Sequence, residues 1–527
     1  TNKYVFTVKS AGDVTLTGGN VQFNVMGTDS PLGGHRTLTD SGVGVNFTAV
    51  STDHTRDILP DITITVKTLV SASVSFDCTP ADAEVTVYDA TGAVVPKYKE
   101  GRHSLEVGNY TYEVSAAGYL TARGSVAISE DTTEKTVAVT LEKGDATTWD
   151  GKTLTPVTPN ADGVYEIRTG AELAWIASQV NNREAVSKVQ LMNVISLGNN
   201  QWTPIGDNYQ EFRGEFDGNG HVVRNLYINN GKNRQGLFGT VRSASITRLG
   251  VEGTVITTGD YAAGIATFAY EDVVISQCYS AVHVTASDRA AGICSNPQVE
   301  SLTITDCYNV GTVTATMGMA SGIACSAVTQ NRGAMMTNCY NAGKVTGGSK
   351  CGAISDTTKE GAILNCYYLA GCVDSKSGAG SGIEKTEAEL KNVAMAELLG
   401  TNFHADGGNV NSGYPVLTWQ YWGETVYTWS EDNGSVTATR TARHDPAETE
   451  TETVTTSCEV RKAATCVEKG EGKYTAVFTR FAAAEKVAEI PARGHHFGDW
   501  TVTKTATCAE EGEQTRTCAD CEQTETR

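Results

Sequence analysis

Four Cys-Tyr dipeptides, Cys278-Tyr279, Cys307-Tyr308, Cys339-Tyr340 and Cys366-Tyr367, recur at intervals of 29, 32 and 27 residues. A second mark keeps the same beat: Ala-Gly-Ile at 263–265 and 291–293, Ser-Gly-Ile at 321–323, and Cys-Gly-Ala-Ile at 351–354. Self-similarity at this period is the sign of stacked units, each burying its apolar face against its neighbours. The constraint falls on shape before chemistry. In such an array a repeated cysteine or tyrosine is spent on the scaffold.

Val and Thr are abundant and long amphipathic helical windows are scarce, so the class is mostly β. A chain of 527 residues exceeds one core, which predicts three to five domains. The formal charge of −20 repels phosphate backbones, so nucleic acid is not an expected partner. No run of eighteen apolar residues occurs, and no membrane-spanning helix is expected. The chain starts at Thr1 and stops inside an apparent repeat, as a piece of a longer protein would.

Five segments follow. Residues 1–70 alternate as strands, for example Tyr4-Val5-Phe6-Thr7-Val8 and residues 61–66, with turns at Gly18-Gly19, Gly33-Gly34 and Pro60; a β-sandwich module is expected. Residues 71–143 give a second sandwich. Pro80, Ala83, Val85, Gly108, Tyr110, Val114 and Gly118-Tyr119 resemble the PEGA and carboxypeptidase-regulatory-like modules, which implies a surface spacer without catalytic residues. Residues 145–422 hold the array. A capping box at Thr169 and Glu172 opens a helix through Leu173, Trp175, Ile176 and Val180. Another at Thr386 and Glu389 opens a helix through Leu390, Val393, Leu398 and Leu399, stopped by Gly400. Both helices are expected to plug the open ends of a solenoid, whose strand edges otherwise invite pairing.

The array also resembles the GLUG-motif proteins. The residues that carry this are Trp202-Thr203-Pro204-Ile205-Gly206, Phe212-x-Gly214-x-Phe216-Asp217-Gly218-Asn219-Gly220-His221, Asn225-Leu226, Gly236-Leu237-Phe238-Gly239, the stretches 246–251 and 338–345, and Ser412 to Trp419. Together they span about half the chain. The resemblance implies a right-handed β-helix from a secreted or wall-attached bacterial protein, an adhesin or a region beside an IgA-cleaving metallopeptidase.

Residues 424–494 and 495–527 form two C-terminal β repeats, the second truncated. Lys462-Ala463-Ala464-Thr465-Cys466 and Lys504-Thr505-Ala506-Thr507-Cys508 are copies 42 residues apart, each with Gly four residues on, at Gly470 and Gly512. They resemble tandem repeats near the ends of large surface proteins of anaerobic gram-positive bacteria.

The chemistry is sparse. Cys278, Cys307, Cys339 and Cys366 form one cysteine column, and Cys294, Cys325 and Cys351 a looser second group; an apolar ladder is favoured over coil-to-coil disulfides. Asp217-Gly218-Asn219-Gly220 starts like a calcium loop, but Ile228 stands where the bidentate Glu belongs, so a turn is expected. In the tail, Cys508, Cys518 and Cys521 with His495 or His496 offer a Cys3His zinc set. Against it, the preceding copy keeps Cys466 but has Ala476 where Cys518 aligns; disulfide and free thiols remain the favoured alternatives. His-Glu-x-x-His, Gly-x-Ser-x-Gly and Gly-x-x-x-x-Gly-Lys are all missing from the sequence. Asp260, Asp272, Asp288, Asp306 and Asp356 are the acids of the coils, and whether any two converge is a matter for the fold. Trp419, Tyr421, Trp422, Tyr427 and Trp429 are expected to pack the solenoid against the next module rather than to offer sugars a platform.

No catalytic, cofactor-binding or metal residue is therefore assigned. The reading is a non-catalytic extracellular adhesin or structural rod, at the cell surface or in the cell wall, with a glycan or protein ligand; a monomeric rod is expected, with self-assembly as the open alternative. The alternatives are a polysaccharide-processing β-helix enzyme and an accessory region of a larger surface protease.

Overall fold

A computed structural model describes the side chains of residues 71–98, 101–116, 118–297, 302–325, 335–356, 362–374 and 382–527. Within 1–70 it describes backbone strands only. Lys3–Lys9 pairs antiparallel with Thr63–Leu69, and Phe23–Asn24, Leu38–Asp40 and Val43–Phe47 make a small antiparallel sheet. The turns expected at Gly18-Gly19, Gly33-Gly34 and Pro60 lie outside the described residues. The chain divides into two compact units, Thr1–Gly144 and Asp145–Arg527.

In the first unit, residues 71–143 form two facing sheets. Ala122–Ile128, Gly108–Ser115, Glu84–Tyr88 and Val94–Val95 make one; Glu134–Thr140, Ser71–Thr79 and His103–Glu106 make the other. Alternate residues point inward, so Ala72, Val74, Val87, Leu105, Val126 and Ile128 close a shared core.

The second unit is dominated by a parallel β-solenoid of about six turns. Lys188–Leu191 and Ile195–Ser196 lie against Glu215–Asn230, which pairs in parallel with Phe238–Thr257. Ala266–Ser276 with Tyr279–Ala286 come next, then Leu302–Thr305, Tyr308–Asn309 and Val313–Ala315. Ala334–Thr337, Tyr340–Asn341 and Val345–Gly347 follow, and Ile363–Leu364 with Tyr367–Leu369 close the series. The Ala-Gly-Ile mark is a separate four-stranded parallel sheet, Tyr261–Ala263, Arg289–Ala291, Met319–Ser321 and Lys350–Gly352. Gly264, Gly292 and Gly322 sit where neighbouring coils touch. A Cβ on Gly292 would lie 2.2 Å from the Gly322 carbonyl oxygen, and one on Gly322 2.1 Å from that of Ala353. The isoleucine after each glycine, Ile265, Ile293 and Ile323, is fully buried.

The leading helix starts at its capping box. Gly170–Asn181 is capped by the Thr169/Glu172 box and sends Leu173, Ile176, Ala177 and Val180 into the solenoid core. The trailing helix is not continuous. It breaks into Glu387–Leu390 and Val393–Leu399, the second capped by the Asn392 side chain and ended at Gly400, where φ is 108°. Instead of plugging an end, residues 386–422 run back along the flank of the coils. Asn365 donates to the Leu398 carbonyl at the last coil (2.6 Å), Asn402 donates to Asp306 two coils earlier (2.8 Å), and Trp419 donates to the Gln277 carbonyl one coil further back (2.9 Å). On that flank lies a ladder of buried tyrosines, an apolar surface that the segment packs against. Leu390, Met395, Leu399, Phe403 and Leu417 cover it.

The tail begins with a five-stranded antiparallel sheet whose long strand, Thr449–Lys462, pairs with Ser435–Thr441 through its first half and Gly470–Ala476 through its second. A three-stranded sheet follows, Thr501–Lys504, Glu513–Thr517 and Thr524–Thr526.

Candidate binding surfaces

The Cys-Tyr beat resolves into two ladders that face opposite ways. Each cysteine points into the core, where its thiol reaches the carbonyl two residues back (3.1–3.2 Å) and, at 3.5–3.7 Å, a carbonyl of the preceding coil: Ile246 for Cys278, Ile275 for Cys307, Ile304 for Cys339 and Met336 for Cys366. All fourteen cysteines are free thiols. Burial pushes the Cys307 and Cys339 thiols well up and Cys294 to about 12, so these groups stay protonated and unreactive. The looser group is not a column. Cys294 is in register with Ala324, whereas Cys351 continues the Ala262, Ala290 and Ala320 column, because alanine and cysteine fill the same small site.

The tyrosines point outward, and Tyr279, Tyr308 and Tyr340 stack. Tyr279 and Tyr308 have ring centroids 5.1 Å apart at 5°, and Tyr308 and Tyr340 4.9 Å apart at 8°. These separations are the coil spacing itself, so the backbone ladder imposes near-parallel rings where free rings prefer offset or edge contacts. Trp419 extends the stack past Tyr279 (5.8 Å, 23°). Tyr308 donates to Gln420 (2.9 Å) and Tyr340 to the Pro415 carbonyl. The ladder is thus covered by the strap and offers a ligand no open surface. Trp422 is buried, and Tyr427 packs on Phe478 within the C-terminal sheet.

Polar columns are also spent internally. Asn309 donates to Asn341 (2.8 Å), Asn338 to Asp306 (2.9 Å) and Asn365 to Asn338 (2.8 Å). Arg248, Gln277, Asp306, Asn338 and Asn365 share one left-handed corner, with φ of 50–53°. Asp217 is held by Gln190 and Arg248, and its Oδ1 accepts the Asn219 amide (2.8 Å), so Asp217 to Gly220 form a coil corner. Of the five acids, Asp306 and Asp356 are buried. Asp260 and Asp288 fall next to each other on neighbouring coils, where the Asp288 amide donates to the Asp260 carbonyl (3.2 Å).

A cleft of about 670 Å³ opens beside the first coils. Seven of its fifteen lining residues carry amides (Asn181, Gln201, Asn208, Asn229, Asn230, Asn233 and Gln235), and Lys232 and Arg234 add two cations. Tyr209, 81% exposed, lies at its edge. Several amides are already engaged, since Asn230 donates to Gln235 (2.9 Å) and Asn181 bridges Pro204 and Gly206. The lining holds one carboxylate, Asp207, whose Oδ1 accepts the Tyr209 and Gln210 amides (2.7 and 2.9 Å). Such walls offer a hydroxyl-rich ligand many hydrogen bonds, and their described residues hold one carboxyl where glycoside hydrolysis uses two.

A second cluster lies in the tail. Cys466, His495, Cys518 and Cys521 present ligand-type atoms all within 4.8 Å of one another. Cys508, the third thiol of the set read from the sequence, is exposed and lies outside this group. The two copies do fold alike: Thr465 and Thr507 each accept the amide three residues on, at Glu468 and Glu510. Gly470 is required because a Cβ there would lie 2.4 Å from the Lys462 carbonyl oxygen. What separates the copies is the partner. Arg493 and Gly494 amides donate to the Thr465 and Cys466 carbonyls (2.9 and 3.0 Å) and bring His495 to the first copy's cysteine. His496 turns away to Asp520 (2.8 Å).

No described protein family matches the chain. Over 193 residues, a third of its length, it is 28% identical to halomucin of Haloquadratum walsbyi, and the match spans 2% of halomucin. Half of it overlays, at 20% identity and a TM-score of 0.37, on 95% of a crystal structure of a putative immunoglobulin A1 protease from Bacteroides ovatus.

Proposed function

We propose that this chain is a non-catalytic region of an extracellular, surface-associated bacterial protein, a stiff GLUG-like solenoid that displays a binding cleft. The observation that carries the reading is how the repeat is used. Cysteine, tyrosine and asparagine columns are consumed in holding coils together, and a cleft rich in amides stays open, with Tyr209 at its edge. Similarity to part of halomucin agrees with a surface address. The ligand class that fits is a glycan, held by amide hydrogen bonds and the Tyr209 ring. Glycan-array binding by the purified chain tests this. Binding that weakens in Tyr209→Ala, with no reducing ends released, is the expected result; release of reducing ends overturns it.

A second reading, a polysaccharide-processing β-helix, rests on the adjacent Asp260 and Asp288. It requires activity on a polysaccharide that Asp288→Asn abolishes.

A further inference from the structure

Residues 495–527 are short of core. Among them Cys518 is the only buried side chain, and the strands Thr501–Lys504 and Thr524–Thr526 are exposed throughout. A three-stranded sheet of this size with no apolar layer does not hold itself together, and small domains of this kind are commonly stapled by a disulfide or a metal. The buried side chain here is a thiol, and it meets a second thiol from the preceding repeat. The Cys466 and Cys518 sulfurs are 3.8 Å apart, and the Cys521 sulfur is 3.2 Å from His495 Nδ1.

Those separations discriminate between staples. A disulfide needs sulfurs at about 2.05 Å. A tetrahedral ion with sulfur ligands at about 2.3 Å puts its sulfurs about 3.8 Å apart, which is the separation found. We propose that Cys466, Cys518, Cys521 and His495 Nδ1 form a structural zinc site that joins the two C-terminal repeats. The ligand set is Cys3His, with Cys518 and Cys521 as the short-spaced pair. That pair sits on a tight turn, where the Cys518 amide donates to the Gln523 carbonyl (2.8 Å) and the Ala519 amide to that of His496 (2.9 Å). His495 is presented by the backbone bonds from Arg493 and Gly494 to the Cys466 loop. Cys466 and Cys518 are buried and Cys521 is exposed, so the site is closed on one side and open to solvent on the other. Three thiols bind as thiolates, releasing their protons to solvent, and the closed set leaves no position for a substrate.

The test uses the full chain, reduced and stripped of metal, titrated with Zn2+ and with Co2+ as a spectroscopic stand-in. One ion per chain is expected, with the visible Co2+ bands of a tetrahedral thiolate complex. Zinc should protect three of the fourteen thiols from alkylation, identified by mass spectrometry as Cys466, Cys518 and Cys521. That reading needs no variant, so it stands even if a ligand substitution unfolds the tail. Cys466→Ser and His495→Gln should weaken binding at least about tenfold, whereas Cys508→Ser should leave it unchanged. The proposal is overturned if binding is lost in Cys508→Ser but kept in Cys466→Ser. It is equally overturned if no ion binds, or if a Cys466–Cys518 disulfide forms and persists in the presence of zinc.

Discussion

At the scale of single residues, the Cys-Tyr dipeptide divides its labour by the alternation of a strand. Adjacent residues face opposite sides, so one beat supplies a small filler to the interior and a ring to the flank. Losing the ring and losing its hydroxyl should have different costs. Tyr308→Phe removes one buried hydrogen bond to Gln420, whose acceptor still receives the Leu417 amide (2.9 Å), and should cost about 1 kcal/mol. Tyr308→Ala opens a gap in the middle of the stack and should cost about 3–5 kcal/mol. Urea denaturation followed by tyrosine fluorescence measures both. The inward thiols make a separate prediction. Cys458 and Cys508 are exposed and should react with a thiol reagent at once, while Cys294, Cys307 and Cys339 react only on unfolding. Rapid labelling of a ladder cysteine in the native chain would refute the inward assignment.

At the scale of elements, the solenoid was legible because its marks recur, and the strap was not because it occurs once. The capping boxes at Thr169 and Thr386 locate both helix starts, since they depend on local chemistry alone. Where the second helix docks depends on the outward tyrosines, and a repeat alone does not say which residues of a coil stay uncovered. The left-handed corner was hidden for a similar reason: Asn338 and Asn365 suit it, but Arg248 and Gln277 occupy it as well. The tail cluster was half legible. Cys518-x-x-Cys521 stands out, but its third sulfur comes from a neighbouring repeat, and that pairing is a tertiary fact. The strap itself is open to test. Leu399 is fully buried over the tyrosines, and Leu399→Ala should cost about 2–5 kcal/mol. Hydrogen exchange should then quicken in 386–422 while the inner coils stay protected. Equal loosening of both would mean that strap and coils form one cooperative element.

At the scale of the whole molecule, the two units have separate cores, so conditions that act on one should leave a signature in one. His103 gives such a condition. Its ring is buried in the sandwich against Phe76 (6.0 Å, edge to face), and burial, aided by the charge of Lys97, holds its pKa below the ordinary value of about 6.5. As pH falls through about 6.5, the unfolded chain takes up a proton that the folded sandwich does not, so folding weakens with each further step toward acid. The contribution is whole above about pH 6.5 and is lost as pH drops toward and through the lowered folded value. Calorimetry at about pH 8 and about pH 5 should therefore show the transition of the Thr1–Gly144 unit moving to lower temperature in acid. His103→Phe removes the titrating group and keeps an aromatic ring beside Phe76. It should flatten the acid shift of that transition and leave the pH response of the solenoid unit as in the unaltered chain. If the shift persists in His103→Phe, other groups carry it, and the sandwich does not owe its acid sensitivity to this histidine.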